Sequence, residues 1–305
     1  MELTIHIGPH KTGTTAIQTA FAGAAATLRR RGVLYPQVNW MFPAQHRLAF
    51  ALKGKPLPGG ERPDATQELD ALSRVLDRFG GRAVLLSSEE FFACPPDAIA
   101  RLHARVGPAR IVTFLRKPDD FLLSCYNQKT KQPGNGFSVP VSRFIDDPRR
   151  IAPEMDYRTC VTAWADVFGD EATRVELYED GPPLARLRQL MGTGDLPCDP
   201  PGRPNASVPG PVVELMRHAK AIGMDDRRQK RLFVRARDAF AASPPFDIPA
   251  DDRARILAAM EPDLDCLFAR FGRANPYSAP APTSAAPPPP NATIRDAMRL
   301  LESLL

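Results

Sequence analysis

Four short strand-like runs, separated by helical patterns, most strongly constrain how this 305-residue chain can fold. They lie at residues 3–7, 83–87, 109–115 and 173–178. The second and third runs are almost entirely apolar, which indicates a sheet that is covered on both faces. Strands that alternate with helices indicate parallel pairing. The sequence therefore predicts an α/β fold with three layers, in which a parallel sheet lies between two layers of helices.

Helical patterns occupy the segments between these strands. They cover residues 15–28, 67–79, 97–106, 119–131 and 156–168. Three of them begin at an aspartate, a residue type that is favoured at the cap or in the first turn of a helix. Beyond residue 195 the strand pattern ends, and helical patterns follow at residues 211–221, 227–242 and 251–271. These predict a C-terminal helical extension that packs on the sheet domain.

The last part of the chain differs in composition from the rest. Residues 278–290 read SAPAPTSAAPPPP, which is typical of a polyproline linker without a core of its own. Residues 293–305 carry apolar side chains at helical spacing. We expect an α/β domain over residues 1–275 that includes the extension from 195 to 275, then a linker over 276–292 and an amphipathic helix over 293–305. That helix either docks back onto the domain or serves self-association or partner docking.

A glycine-containing loop at residues 8–15, GPHKTGTT, lies between the first strand and the first helix. In this context the backbone N–H groups and the dipole of the following helix converge on a bound anion. The spacing of Gly8 and Gly13 matches the Walker A loop, G-x-x-x-x-G-K-[ST]. Thr14 occupies the position of the Walker A lysine, however, and the lysine lies earlier, at Lys11. The P-loop-like segment is therefore predicted to bind a phosphate other than the β- and γ-phosphates of ATP.

This loop is rich in groups that bind phosphate. Lys11 supplies a mobile positive charge, and Gly13 allows the backbone to approach an anion closely. Hydroxyl groups are supplied by Thr12, Thr14 and Thr15. We predict that these five residues form one phosphate-binding site.

A second set of candidate phosphate-binding residues follows the third strand-like run. Arg116 lies at the carboxyl end of that run, and Ser124 lies eight residues later in the next helix. Ligands of open α/β sheets bind outside the carboxyl ends of the strands, so Arg116 is expected near the loop at residues 8–15. A guanidinium and a hydroxyl together can bind a second phosphate.

Together these motifs resemble the PAPS-dependent sulfotransferase family, in which PAPS (3′-phosphoadenosine 5′-phosphosulfate) is the sulfuryl donor and PAP is the product. The resemblance covers roughly residues 1–210. It implies that Arg116 and Ser124 bind the 3′-phosphate. The 5′-phosphosulfate would be bound by Lys11, Thr12, Gly13, Thr14 and Thr15. The H-K-T-G-T-T form of the loop, with an N-x-S triplet at residues 205–207, is most similar to the bacterial members.

Sulfuryl transfer requires a base that accepts the proton of the acceptor hydroxyl. Glu89 and Glu90 follow the second strand-like run, and the carbohydrate-type members of the family use a glutamate. Successive strand residues face opposite ways, so we expect only one of the two in the site, and Glu89 is the favoured base. His46, in a predicted loop, is the alternative, since other members use histidine. His10 is interpreted as a contact to the donor or acceptor rather than as a base.

The implied reaction moves a sulfuryl group from PAPS to a hydroxyl of a carbohydrate or related metabolite without a metal ion. Lys11 would be catalytic, because it neutralises the charge that develops on the leaving phosphate. One alternative is a P-loop kinase of small molecules, which would need a lysine at position 14 and a magnesium-binding aspartate. The other is a non-catalytic nucleotide-binding module that recruits a partner through its tail.

Composition limits the remaining function classes. Hydrophobic residues make up 43% of the chain and charged residues 25%, which is ordinary for a soluble globular enzyme. The net charge of +5 favours anionic ligands, but the basic clusters lack the interleaved aromatic residues of a nucleic-acid surface. The five cysteines form no C-x-x-C pair, which predicts free thiols rather than disulfides or a zinc site. With no apolar run of membrane-spanning length and no leader pattern, we expect a cytoplasmic protein.

Overall fold

A computed structural model of the protein describes residues 1–194 and 208–278. Its strands are β1 (Glu2–His6), β2 (Val33–Leu34), β3 (Ala83–Ser87), β4 (Arg110–Leu115) and β5 (Thr173–Leu177). Within the described ranges these strands form a five-stranded sheet in the order β2-β3-β1-β4-β5, and every neighbouring pair is parallel. The predicted α/β fold with a parallel sheet is confirmed.

Helices connect the strands and continue after the last one. In chain order they are α1 (Thr14–Gly23), α2 (Ala25–Arg30), α3 (His46–Leu52), α4 (Ala65–Asp77), α5 (Pro96–Val106), α6 (Pro118–Lys131), α7 (Val141–Asp146), α8 (Pro148–Ile151), α9 (Tyr157–Phe168), α10 (Pro183–Leu190), α11 (Gly210–Ala221), α12 (Asp226–Ala239) and α13 (Ala250–Arg270). Short 3₁₀ turns cover Glu89–Phe91, Pro153–Met155 and Tyr178–Asp180. None of the helices in the described ranges combines the length and apolar character that crossing a membrane requires.

The local predictions are accurate for most elements and wrong for a few. All four predicted strands form, and β2 is the strand that the prediction missed. The helix predicted over residues 15–28 is instead two helices, α1 and α2, which are separated at Ala24. Gly23 ends α1, and glycine has a low helix propensity. The segment around residue 46 was expected to be a loop but contains α3.

Apolar side chains cover the sheet as the strand patterns predicted. All five residues of β3 are buried, which requires cover on both of its faces. On one face, alternate residues of the strands pack against α1, α2 and α10. This cluster comprises Ile17, Ala20, Phe21, Leu28, Val33, Tyr35, Ala83, Leu85, Val112, Phe114, Leu187 and Met191.

The described chain divides into two compact units. One comprises residues 1–117, 156–194 and 263–275 and contains the whole sheet; the other comprises residues 118–155, 208–262 and 276–278. Helices α11, α12 and α13 confirm the predicted helical patterns, but the predicted domain boundaries stay a prediction. Apart from residues 276–278, the predicted linker lies outside the described residues, as does the predicted helix at 293–305.

Candidate active site

The predicted site residues follow three adjacent strands of the sheet. β1 lies between β3 and β4, and His6 at its carboxyl end pairs with Ser87 of β3 and Val112 of β4. After β1 the chain forms β2 and β3 on one side of it and then β4 and β5 on the other, so β1 marks the switch point at which ligands of such sheets bind. The phosphate loop follows β1, the glutamates follow β3, and Arg116 follows β4.

The phosphate loop places a lysine and a helix N-terminus side by side. Lys11 adopts a left-handed backbone conformation with φ 66°, which is uncommon for a residue with a Cβ. Gly13, with φ 81°, is the N-cap of α1, and it has no side chain with which to cap the first turn. The N–H groups of that turn are therefore free of a side-chain cap from Gly13, and anion binding by them stays a prediction. Thr14 is buried at the start of α1, whereas Thr15 is exposed.

Close packing under the loop explains two of its residues. A Cβ on Gly8 would lie 2.8 Å from Nε2 of His6 and 3.2 Å from the hydroxyl of Thr12, so a larger residue does not fit without a shift. Thr12 is fully buried, and its hydroxyl donates to the carbonyl of Pro9 at 2.8 Å. The hydroxyl of Thr12 thus holds the turn together, and the predicted role of Thr12 in donor binding would fall to its backbone N–H.

Arg116 reaches the phosphate loop from β4. Its Nη1 lies 3.4 Å from the carbonyl oxygen of Lys11, and its guanidinium stacks on the ring of Tyr178 at 5.1 Å. The hydroxyl of Tyr157 donates to the carbonyl of Arg116 at 2.9 Å, which fixes the backbone at this point. A guanidinium has five N–H donors, so these contacts leave Arg116 able to bind an anion as well.

The two glutamates do not lie as predicted. β3 ends at Ser87, and Glu89 and Glu90 form the 3₁₀ turn that follows it, which Ser88 caps by accepting from the N–H of Glu90. Both carboxylates approach His10: Glu89 Oε1 lies 3.7 Å from Nδ1, and Glu90 Oε1 lies 3.4 Å from Nε2. The expectation that only one of them faces the site is therefore wrong, because three residues per turn do not alternate faces as a strand does.

Glu90 is engaged by a lysine. Lys53, at the end of α3, donates to Oε2 of Glu90 at 2.5 Å, and the lysine side chain is 6% exposed. Burial alone would raise the pKa of Glu90, but the hydrogen bond from His10 and the charge of Lys53 outweigh it and lower the pKa to about 2. A carboxylate with so low a pKa is a weak proton acceptor.

Glu89 has different contacts, with a glutamine and two histidines. Its Oε2 accepts a 2.6 Å hydrogen bond from Nε2 of Gln18 and lies 3.7 Å from Nε2 of His46. Its side chain is 13% exposed and faces His10 through the other oxygen. Of the two adjacent carboxylates, Glu90 is thus the less suited to accept a proton, and the role of Glu89 as the base stays a prediction.

His46 is buried at the start of α3 rather than exposed in a loop. Its Nδ1 lies 2.7 Å from the hydroxyl of Ser88, and burial lowers its pKa even though Glu89 and Glu90 act in the opposite direction. Gln45 anchors this helix start to β3, because its N–H donates to the carbonyl of Ser87 and its side-chain oxygen accepts from the N–H of Ser87. The ring of His46 thus faces the carboxylate of Glu89, with 3.7 Å between Nε2 and Oε2.

One predicted binding residue, Ser124, and the N-x-S triplet of the resemblance are not placed in this site. Ser124 lies half-buried on α6, in the second unit, and its role in binding a 3′-phosphate stays a prediction. The N-x-S triplet at residues 205–207 lies outside the described residues. In the described ranges, including this site, no group of three or more His, Cys, Asp or Glu side chains is arranged to hold a metal ion.

The loop after β2 also reaches this edge of the sheet. Asn39 and Phe42 have φ angles of 61° and 57°, and with Lys11 they are the non-glycine residues of the described chain with positive φ. The side chain of Asn39 is tied to Glu68, whereas Phe42 is 76% exposed. Because Gln45 binds both Pro36 and Ser87, this loop is held at the carboxyl end of β3.

His6 lies at the carboxyl end of β1, two residues before the phosphate loop, and it makes the stability of the fold dependent on pH. It is fully buried, its Nδ1 lies 2.8 Å from the hydroxyl of Ser87, and burial lowers its pKa to about 4, although Glu89 acts in the opposite direction. Below pH 6.5 the unfolded chain takes up a proton at His6 that the folded protein does not, so stability falls between pH 6.5 and pH 4. We expect His6 alone to lower the free energy of unfolding by about 2 kcal/mol at pH 5 relative to pH 7.5.

Chemical denaturation of the wild type and His6→Gln at pH 7.5 and pH 5.0 measures this contribution. Glutamine cannot take up a proton, so the variant should lose about 2 kcal/mol less stability on acidification. His46 is present in both proteins and contributes equally to each. An identical loss in the two proteins would show that His6 is not the titrating group.

Comparisons with known proteins agree with this fold. The structure is similar to the crystal structure of a sulfotransferase from Alicyclobacillus acidocaldarius, with a TM-score of 0.51, 18% sequence identity, and coverage of 90% of this chain and 96% of that chain. No family model matches the sequence, and no curated protein does. At this level of identity, the likeness shows that the two chains share a fold.

Proposed function

We propose that this protein is a sulfotransferase that moves a sulfuryl group from PAPS to a hydroxyl of a carbohydrate or related metabolite. The observation that carries the proposal is the convergence of two phosphate-binding groups on one loop. Lys11 and the N-terminus of α1 provide the first group, and Arg116, 3.4 Å from the carbonyl of Lys11, provides the second. A donor with two separate phosphates, one at each end of its ribose, matches this pair.

In the proposed reaction, each residue at the carboxyl ends of the strands has a defined role. The N–H groups after Gly13 hold the 5′-phosphate, and Arg116 holds the 3′-phosphate. When bound, the donor supplies a sulfuryl group whose bond to the 5′-phosphate breaks as a bond from the acceptor oxygen to sulfur forms. Lys11 neutralises the negative charge that the leaving phosphate gains. Glu89 takes the proton of the acceptor hydroxyl on its carboxylate, with His46 as the alternative base.

The loop after β2 supports an acceptor that carries its hydroxyl on a ring. Phe42 exposes most of its aromatic face, and it lies four residues from His46, a Cα separation of at most about 14 Å. An exposed aromatic side chain held in a strained backbone conformation is a common feature of ligand-binding loops. The face of a sugar ring could pack against Phe42 while its hydroxyl approaches Glu89.

A comparison of nucleotides by thermal shift tests the donor assignment. PAP carries a 3′-phosphate that ADP and AMP lack, so PAP should raise the melting temperature well above the shift that either produces. Arg116→Ala should weaken PAP binding by about 10–100-fold, which corresponds to a lost hydrogen bond between charged groups, and should leave ADP binding nearly unchanged. A small-molecule kinase would instead favour ADP or ATP.

Arg110→Ala is the matched control for this experiment. Arg110 begins β4, whereas Arg116 follows its end, and Arg110 forms an ion pair with Glu2 at the opposite edge of the sheet. Loss of one positive charge there should not change the preference for PAP over ADP. Equal stabilisation of the wild type by PAP and ADP would contradict the assignment of a 3′-phosphate site.

A further inference from the structure

Gln18 is a buried polar residue on the helix that follows the phosphate loop. It lies in the second turn of α1, is 3% exposed, and its neighbours Ile17 and Phe21 belong to the apolar core. A buried amide is costly unless it forms a hydrogen bond. Gln18 satisfies this requirement with the carboxylate of Glu89, to which its Nε2 donates at 2.6 Å.

The contacts of Glu89 differ between its two oxygens. Oε2 accepts from Gln18 and lies 3.7 Å from Nε2 of the buried His46, so it is held from the interior. Oε1 lies 3.7 Å from Nδ1 of His10, whose side chain is 41% exposed. One oxygen is therefore fixed, and the other lies on the side of the phosphate loop.

The role of Gln18 rests on the proposed sulfotransferase function. We propose that Gln18 is a positioning residue, which holds Oε2 of Glu89 so that Oε1 can accept the proton of the acceptor hydroxyl. In the transfer the acceptor O–H bond breaks, its proton passes to Oε1, and the acceptor oxygen bonds to sulfur as the bond between sulfur and the 5′-phosphate breaks. Gln18 takes no proton in this step.

The position of Gln18 on α1 links the base to the donor site. α1 begins at Thr14, directly after the N-cap Gly13, and its first turn is where the donor's phosphate is proposed to bind. A helix is a rigid element, so the amide of Gln18 has a fixed position relative to that phosphate. One helix thus sets the distance between the base and the sulfuryl group, and a misplacement of about 1 Å can lower the rate of such a reaction about 100-fold.

The uncharged character of Gln18 is also consistent with this role. Glu90 has a cationic partner in Lys53, and the pKa of Glu90 is about 2. Gln18 donates one hydrogen bond to Glu89 without bringing a positive charge next to it. The two adjacent carboxylates thus have different partners, and the one with the neutral partner is the proposed base.

Steady-state kinetics of Gln18→Leu and Gln18→Glu, measured as a function of pH, test this inference. Loss of the N–H donor should lower kcat about 10- to 100-fold and move the acidic limb of the kcat–pH profile to higher pH, because that donor favours the ionised carboxylate. The affinity for PAP should stay within about twofold of the wild type, since no phosphate-binding group changes. Gln18→Glu keeps the side-chain size and should move the acidic limb further, because two carboxylates then share the site.

Gln229→Leu provides the matched control, since Gln229 is also a buried glutamine, with its Nε2 donating to the carbonyl of Met224 at 2.6 Å in the second unit. Gln229→Leu should cost stability without moving the pH profile. The inference is overturned if Gln18→Leu and Gln18→Glu both keep the wild-type profile and kcat, or if PAP affinity falls as much as kcat. Should Gln18→Leu fail to fold, Gln18→Glu alone decides, because it retains the volume of the buried side chain.

A separate readout distinguishes failure of this inference from failure of the proposed function. If the wild type transfers no sulfuryl group, the proposed function is wrong, yet the contact can still be tested by NMR of the ¹³C-labelled carboxyl of Glu89. In that experiment the carboxyl carbon should titrate at higher pH in Gln18→Leu than in the wild type. Identical titration in both proteins would overturn the positioning role of Gln18.

Discussion

Replacing Lys11 with alanine is expected to lower the rate of sulfuryl transfer by about 10²–10³-fold. The ammonium group is a cation on the phosphate loop, and it is proposed to act on charge that appears only as the donor bond breaks. Because the N–H groups of α1 and Arg116, which are proposed to bind the two phosphates, remain in this variant, the affinity for PAP should fall much less than kcat. Single-turnover transfer from radiolabelled PAPS, together with calorimetric titration of PAP, measures the two effects.

Lys11→Gly separates the side chain from the backbone in this experiment. Lys11 has φ 66°, a conformation that glycine adopts without strain and alanine does not. The glycine variant should therefore be more stable than the alanine variant but equally slow. Lys55→Ala removes the same charge from an exposed position and should leave turnover within about twofold of the wild type. Substantial transfer by Lys11→Gly would contradict the catalytic role of the ammonium group.

Glu89→Gln is expected to lower kcat by about 10²–10⁴-fold, the range that removal of a general base produces. Glutamine retains the shape of the side chain but accepts no proton. Binding of PAP should be unchanged, because Glu89 is not among the groups that are proposed to bind the phosphates of the donor. Steady-state kinetics at several pH values and PAP titration provide the measurement.

Glu90→Gln is the natural control, since Glu90 is adjacent in sequence and lies on the same 3₁₀ turn. Its pKa of about 2 makes it a poor base, so this variant should lose less than about 10-fold in kcat. His46→Gln tests the alternative base and should cost less than Glu89→Gln. A larger loss in His46→Gln would transfer the role of base to His46. Absence of sulfuryl transfer by the wild type, with PAP binding retained in all three variants, would support a non-catalytic nucleotide-binding module.

The strands that carry the main site residues could be predicted from the sequence. The order of strands and helices brings the carboxyl ends of β1, β3 and β4 to one edge, and those ends carry Lys11, Glu89 and Arg116. These features depend on periodicity and on a loop motif, which are local properties. The contact between Arg116 and the carbonyl of Lys11 follows from that topology.

Other features depend on tertiary contacts that leave a weak local signal or none. β2 has two residues, too few for a periodic pattern. The turn of Glu89 and Glu90 resembles the end of a strand until the cap by Ser88 is known. Nothing in the sequence places Lys53 next to Glu90. Gln18 did leave a signal: it is a polar residue on the buried face of an apolar helix, and such a residue requires a partner.

A crystal structure of the protein with PAP tests the central claim most directly. The 5′-phosphate should accept hydrogen bonds from the N–H groups at the start of α1, with Nζ of Lys11 in contact, and the 3′-phosphate should contact the guanidinium of Arg116. Binding of PAP at another edge of the sheet, or with its 3′-phosphate away from Arg116, would contradict the proposal that this loop holds a sulfuryl donor.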